Sequence, residues 1–125
     1  MLTDAQVWPT IAVSDLDKAK AFYGDTLGLK HVEDHPGGSR FEAGGTYIEI
    51  YPSEFAGTAK NTVAGFEVSD LEATMSSLRQ KGVAFLDYDL PGMKTTNGVA
   101  DLSGPRGCWF KDPDGNILGI IQLPT

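Results

Sequence analysis

The residues of this chain best suited to chemistry are a few aromatic rings and carboxylates that share one face of predicted strands. Tyr47, Glu49 and Tyr51 alternate along one segment, and Trp8 and Thr10 alternate along an earlier one. Because successive side chains of a strand point to opposite faces of the sheet, each set projects from a single face. A carboxylate ringed by aromatic faces suits a cationic or amine-bearing ligand, through charge pairing and cation–π attraction.

Two further candidates, Glu67 and Trp109, lie in the second half of the chain. Glu67 shares a predicted strand face with Val63, so that Glu49 and Glu67 could approach each other as a carboxylate pair. Two carboxylates without an imidazole would hold a hard cation such as Mg²⁺ or Mn²⁺ only weakly. The bland alternative is that Trp8 and Tyr47 simply fill a core. The expected ligand-binding residues are Trp8, Thr10, Tyr47, Glu49, Tyr51, Glu67 and Trp109.

The two histidines and the cysteine are weaker candidates for a functional site. His31 and His35 are the only histidines, and they fall in the second predicted strand and the turn after it. We expect both imidazoles to be solvated surface groups rather than ligands. Cys108 is the single cysteine, which excludes an intramolecular disulfide. With strand residues on both sides and no histidine near it in sequence, it is expected to be a structural thiol.

A repeated phrase predicts the helices that must position these strands. Val-Ser-Asp-Leu occurs at residues 13–16 and again at 68–71, which indicates two copies of one supersecondary unit. The short oxygen-bearing side chains of each Ser-Asp can accept hydrogen bonds from the free amides of a first helical turn, so a helix should begin at each. Gly28 and Gly82 then suit left-handed caps at the helix ends.

Most of the remaining chain is predicted to be strand and turn. Alternation and Gly/Pro punctuation predict strands at residues 7–13, 29–34, 40–43, 46–51, 62–68, 83–88, 107–111 and 117–123. The opposite, apolar face of four of them should pack on the helices and comprises Val7, Ile11, Val13, Ile48, Ile50, Ala64, Phe66, Val68, Leu118 and Ile120. Residues 112–116 predict a hairpin turn. Residues 90–106 show little apolar periodicity and predict a long loop or lid.

Composition excludes several classes of partner. The 17 acidic residues outnumber the 10 basic ones, for a net charge of −7, and no basic stripe is visible, so nucleic acid is not an expected partner. No apolar stretch approaches the roughly 20 residues of a membrane span, and no signal pattern is seen, so we expect no membrane and a cytoplasmic location. At 125 residues the chain is expected to be one domain.

Together these motifs resemble a known family. The two strand-Ser-Asp-Leu-helix copies, Ala-Phe-Tyr at 21–23 followed by Leu-Gly-Leu at 27–29, and the closing Trp-Phe-Lys-Asp-Pro-Asp-Gly-Asn-Ile at 109–117 resemble the vicinal oxygen chelate superfamily of glyoxalase I, bleomycin-resistance proteins and extradiol dioxygenases. The resemblance implies an α+β fold in which two βαβββ modules, about 5–52 and 61–124, form a cupped mixed sheet with the helices on its outer face. It also implies a homodimer.

The same resemblance places the family's metal ligands at four positions of this chain, which carry Trp8, Glu49, Val63 and Gly119. Only Glu49 has a side chain that can bind a metal, so we expect no metal and no cofactor. The favoured hypothesis is a metal-free binding protein of the bleomycin-resistance type that sequesters a small aromatic or cationic molecule. The alternatives are a metal-free isomerase or lyase, with Glu49 as general base and Tyr47 or Tyr51 as oxyanion donor, and a metal-dependent glyoxalase- or dioxygenase-like enzyme.

Overall fold

The computed structural model describes the whole chain, Met1–Thr125, as two compact units, Met1–Thr58 and Ala59–Thr125. Each unit has one mixed sheet and one α-helix, and the α+β fold class is confirmed. The first unit contains β1 (Thr10–Val13), α1 (Leu16–Ala21), a π-helical turn (Phe22–Thr26), β2 (Lys30–His35), β3 (Gly38–Ala43) and β4 (Thr46–Pro52). The second contains β5 (Thr62–Glu67), α2 (Leu71–Gln80), β6 (Asp89–Leu90), β7 (Met93–Thr96), β8 (Val99–Asp101), β9 (Arg106–Lys111) and β10 (Ile117–Gln122).

The two sheets are built on the same plan. In the first unit the strand order is β1-β4-β3-β2, with β1 parallel to β4 and the other pairs antiparallel. In the second unit the order is β5-β10-β9-β8-β7-β6, with β5 parallel to β10. In each unit the last strand therefore lies beside the first. This order places residues from the beginning and the end of a unit next to each other on one sheet.

Both helices begin where the repeated phrase predicts. The side chain of Asp15 accepts a hydrogen bond from the backbone amide of Lys18, at 3.1 Å, and Asp70 accepts one from Ala73, at 3.0 Å. These are N-cap bonds, which satisfy amides that have no partner inside the helix. Beyond the helices, Gly28 and Gly82 have φ of 74° and 91°, the left-handed conformation expected of helix-ending glycines.

The predicted apolar face contributes seven of the 17 buried apolar residues. Its buried members are at most 8% exposed: Ile11, Val13, Ile48, Ile50, Ala64, Leu118 and Ile120. Phe66 and Val68 are half-buried. The prediction for Val7 is wrong, because β1 begins only at Thr10 and the Val7 side chain is 88% exposed. No helix of the chain is both long enough and apolar enough to cross a membrane.

Two predictions about residues 83–106 are wrong. The expected strand at 83–88 is reduced to a single bridge between Phe85 and Phe110, because β8 occupies the same edge of β9 beside Arg106 and Gly107. The expected loop at 90–106 contains β6, β7 and β8, which extend the sheet. Its turns are tight: Asn97 and Gly98, both with positive φ, join β7 to β8.

Candidate functional site

The candidate residues of the first unit meet around Arg40, which the sequence analysis did not single out. Strand register places Thr10, Glu49, Arg40 and Glu33 side by side across the sheet, in a row that crosses all four strands. Neighbours in such a row point to the same face. We call these four residues the polar row.

Two predicted aromatic residues contact the guanidinium of Arg40. Its central carbon lies 4.9 Å from the ring centroid of Trp8 and 5.7 Å from that of Tyr47. The two rings meet edge to face, with centroids 5.5 Å apart and an interplanar angle of 87°. The distances from the Arg40 guanidinium carbon to the two rings fall within the range of a cation–π interaction. The positively charged group held by these rings is thus a side chain of the protein itself.

Glu49 is buried, at 8% exposed, and both of its carboxylate oxygens have partners. Nε of Arg40 donates to Oε2 at 3.3 Å, and the imidazole of His35 is hydrogen-bonded to Oε1 through Nε2. Arg40 also pairs with Glu33 on its other side, where Nη1 lies 3.1 Å from Oε1. A buried carboxylate is costly unless it is paired, and these contacts supply the pairing.

His35 is exposed, as expected of a surface group, but its imidazole makes contacts that the sequence did not predict. The amide of Gly37 donates to its Nδ1 at 3.2 Å, so that Nε2 carries the proton that faces Glu49. The ring reaches Glu49 from β2, past Gly38 on the intervening β3. A Cβ at Gly38 would overlap the carbonyl oxygen of Ile50, so only glycine fits there. No spacing rule in the sequence connects residues 35 and 49.

His31 belongs to a different cluster. Its Nε2 lies 3.0 Å from Asp34 Oδ1 and 3.1 Å from Ser39 Oγ, and the Ser39 hydroxyl donates to Asp34 at 2.8 Å. Lys20 of α1 also donates to Asp34, at 2.8 Å, and is the main reason that the pKa of this carboxyl lies well below its usual range. Because Ser39 and Asp34 meet the same ring nitrogen, the geometry differs from a Ser-His-Asp triad. The cluster ties α1 to the sheet.

In the second unit, Trp109 lies flat against its own sheet. Gly65, Gly119 and Trp109 are neighbours across β5, β10 and β9. A Cβ added to Gly119 would stand 3.2 Å from Nε1 of the Trp109 indole, and one added to Gly107 would stand 3.6 Å from its Cη2 atom. Tyr88 meets Trp109 edge to face, with centroids 5.6 Å apart. The glycines make room for the indole, which covers Gly119.

The remaining predicted residues have these positions. Thr10 is exposed beside Glu49, Tyr51 is half-buried on β4, and Glu67 is exposed at the end of β5. Glu49 and Glu67 belong to different units, so their approach as a carboxylate pair stays a prediction. Cys108 is fully buried, and burial raises the pKa of its thiol to about 11.

The residues present do not fit the metal centre that the resemblance implies. Of its four positions, Trp8, Val63 and Gly119 have no side-chain atom that binds a divalent cation. Glu49 is engaged by Arg40 and His35, and the indole of Trp109 covers Gly119. Nowhere in the chain do three or more His, Cys, Asp or Glu side chains come together in a group that could hold a metal ion.

Comparison with known proteins agrees with the resemblance. The family model of the Glyoxalase/Bleomycin resistance protein/Dioxygenase superfamily matches residues 5–120. No curated protein gave a significant match.

Among solved structures, TnmS3, an antibiotic binding protein from Streptomyces sp. CB03234, is 27% identical, with a TM-score of 0.72 over 98% of each chain. A glyoxalase/bleomycin resistance protein from the same organism is also 27% identical, with a TM-score of 0.67 over 93% of this chain and 98% of that one. The fosfomycin resistance protein FosX from Listeria monocytogenes shares the fold at 17% identity, with a TM-score of 0.70 over 95% of this chain and 93% of that one. The chain belongs to the Glyoxalase/Bleomycin resistance protein/Dioxygenase superfamily.

Proposed function

We propose that this protein binds a small aromatic molecule, without a metal ion and without changing the ligand chemically. The observation that carries the proposal is the engagement of Glu49, whose two oxygens are hydrogen-bonded to Arg40 and His35. Glu49 is the one residue with a metal-binding side chain among the four family positions. A divalent cation at Glu49 would have to compete with a guanidinium that is already bound.

The charges around Glu49 favour an uncharged ligand. The polar row holds two carboxylates, Glu33 and Glu49, and one guanidinium, in a protein of net charge −7. An anionic ligand would meet this excess of negative charge. A cationic ligand would find the aromatic faces of Trp8 and Tyr47 occupied by Arg40. We therefore narrow the sequence-based hypothesis, an aromatic or cationic ligand, to an uncharged aromatic one.

The aromatic residues supply the surface that such a ligand needs. Tyr51 in the first unit and Tyr88 and Trp109 in the second are half-buried, so that part of each side chain stays accessible. Trp8 and Tyr47 are also half-buried and offer the ring surface that Arg40 does not cover. Rings of this kind offer large, rigid contact area at low entropy cost. TnmS3 is described as an antibiotic binding protein, and its 27% identity over nearly the whole chain supports an antibiotic-like molecule as the ligand.

The test is direct binding with recovery of the ligand. Uncharged polycyclic aromatic compounds should quench tryptophan fluorescence saturably and raise the melting temperature, as any ligand selective for the folded state does. Alkylammonium compounds of similar size should do neither. Mass spectrometry should recover the ligand unchanged after prolonged incubation. Saturable binding of alkylammonium ions in preference to neutral aromatics would contradict the proposal.

The contact between His35 and Glu49 favours one alternative, in which the pair performs acid–base chemistry in a metal-free isomerase or lyase. A proton taken up by Glu49 would have to compete with the hydrogen bonds from Arg40 and His35. Glu49→Gln separates the two functions: a binding protein should lose affinity modestly, whereas an enzyme should keep its affinity and lose its rate.

We also propose a homodimer, on the strength of the family resemblance alone. Size-exclusion chromatography with light scattering at micromolar concentration tests it. A mass of twice the 13.4 kDa chain is expected, and a mass of one chain would refute it.

A further inference from the structure

We propose that Arg40 is a built-in occupant of an organic-cation site, and that this one side chain sets the selectivity of the first unit against cationic ligands. The site consists of the faces of Trp8 and Tyr47 and the carboxylate of Glu49. The inference deepens the proposed function, on which its biological meaning rests. Its test uses a simple ion and does not need the natural ligand.

The geometry around Arg40 is that of a bound cation. Two aromatic rings lie within 6 Å of the guanidinium carbon, and a buried carboxylate accepts a hydrogen bond from Nε. Aromatic faces together with a carboxylate are the groups by which proteins bind alkylammonium and guanidinium ligands. Here the bound group is tethered by a side chain on β3, the strand next to Glu49.

Arg40 is also fixed on its far side. Glu33 on β2 pairs with Nη1 at 3.1 Å, so that the guanidinium is held between two carboxylates of the same cross-strand row. A tethered group pays no translational cost on binding, so a free cation at modest concentration cannot displace it. The wild-type site is thus closed to cations although its chemistry would suit them.

Removing the side chain should open this site. Arg40→Ala takes the guanidinium away from Glu49, a carboxylate that is buried in the wild-type protein, and leaves Trp8, which precedes β1, and Tyr47 on β4 unchanged. A carboxylate that loses its partner destabilises the protein, and a bound cation with the shape of the lost guanidinium should restore the stability. Methylguanidinium matches the lost group in charge, planarity and donor pattern.

The experiment compares Arg40→Ala with wild type in methylguanidinium chloride up to about 20 mM, with sodium chloride at equal ionic strength as the blank. The variant should show a saturable rise in melting temperature of about 4 °C or more, and wild type should show none. In a Trp109→Phe background, the fluorescence of Trp8 should change along the same saturation curve.

The chain offers a matched control in Arg79. Its guanidinium carbon lies 5.1 Å from the ring centroid of Phe85, and its Nη2 donates to the carbonyl of Asn97, so it has an aromatic contact but no carboxylate partner. Arg79→Ala should show no saturable response. Equal responses of the two variants, or none in a folded Arg40→Ala, would overturn the proposal.

If Arg40→Ala does not fold, Arg40→Gln provides the second measurement, because it keeps the stem and removes the charge. Addition of methylguanidinium should then restore folding of the alanine variant or stabilise the glutamine variant, and failure of both overturns the inference. The proposed function is tested separately, by the binding of neutral aromatics to wild type. If methylguanidinium does not stabilise the variants but wild type still binds neutral aromatics, only the role of Arg40 is refuted.

Discussion

Substitution of Gly119 by alanine tests whether the indole of Trp109 really covers this position. The added Cβ would stand 3.2 Å from Nε1, 3.3 Å from Cδ1 and 3.4 Å from Cγ2 of Thr62. Favourable contacts between such atoms begin at about 3.5 Å, so the indole must move by a few tenths of an ångström. Gly65 is the matched control, because it neighbours Gly119 in the sheet and its added Cβ would meet nothing nearer than 3.9 Å.

The two substitutions, Gly119→Ala and Gly65→Ala, should change the free energy of unfolding in opposite directions. Overpacking typically costs about 1–3 kcal/mol. Replacing glycine by alanine also restricts the unfolded chain, which stabilises the protein by about 0.4–1 kcal/mol. Gly119→Ala should therefore lower the free energy of unfolding by up to about 2.6 kcal/mol. Gly65→Ala, which has only the second effect, should raise it by about 0.4–1 kcal/mol.

Urea denaturation of both variants measures these free energies, with equal m values as the check that the comparison is valid. In a Trp8→Phe background, the emission of Trp109 should also shift in Gly119→Ala and stay unchanged in Gly65→Ala. Equal stabilities and unchanged emission in the two variants would show that the indole does not lie against Gly119. Trp109 would then not block this family position.

Three further predictions concern other residues. Glu49→Gln should lower the free energy of unfolding by about 2 kcal/mol in urea denaturation, since it weakens two charged hydrogen bonds; an unchanged midpoint would contradict the pairing of Glu49 with Arg40 and His35. Cys108, whose thiol pKa is raised to about 11, should react with a thiol reagent at pH 8 about a hundredfold more slowly in the folded protein than in the unfolded one, and its contribution to stability should fall as the pH rises from 9 towards 11. The lowered pKa of Asp34 stabilises the folded state above the unfolded pKa of about 4 and is lost as the pH falls below it, so Asp34→Asn should flatten the acid side of the stability profile; a profile identical to that of wild type would refute this assignment.

The local signals in the sequence predicted most of the fold. The capping of the helices by Asp15 and Asp70 could be predicted because each interaction spans only three residues. The alternation in β1, β4 and β10 predicts the core face because successive side chains of a strand point to opposite faces. The meander at 89–101 is not predicted, because the weak apolar alternation around Asn97-Gly98 indicates a loop although Asn-Gly is a strong hairpin signal.

The site was predictable only in part. Trp8, Tyr47 and Glu49 could be assigned to one face from alternation, but their partner Arg40 is a single charged residue in a short strand with no motif around it. Its role depends on the register of β3 against β4, which places Arg40 opposite Glu49. The contact of His35 with Glu49 likewise joins residues on two strands that are separated by β3. Such long-range pairings have no local signature.

Glu49 is bound by the protein's own side chains and, as we propose, does not hold a metal. Isothermal titration of the purified protein with Zn²⁺, Ni²⁺ and Mn²⁺, supported by elemental analysis of the untreated sample, tests it most directly. We predict no stoichiometric binding at micromolar metal and no change in melting temperature on addition of EDTA. One equivalent of tightly bound metal that disappears in Glu49→Gln would contradict the account.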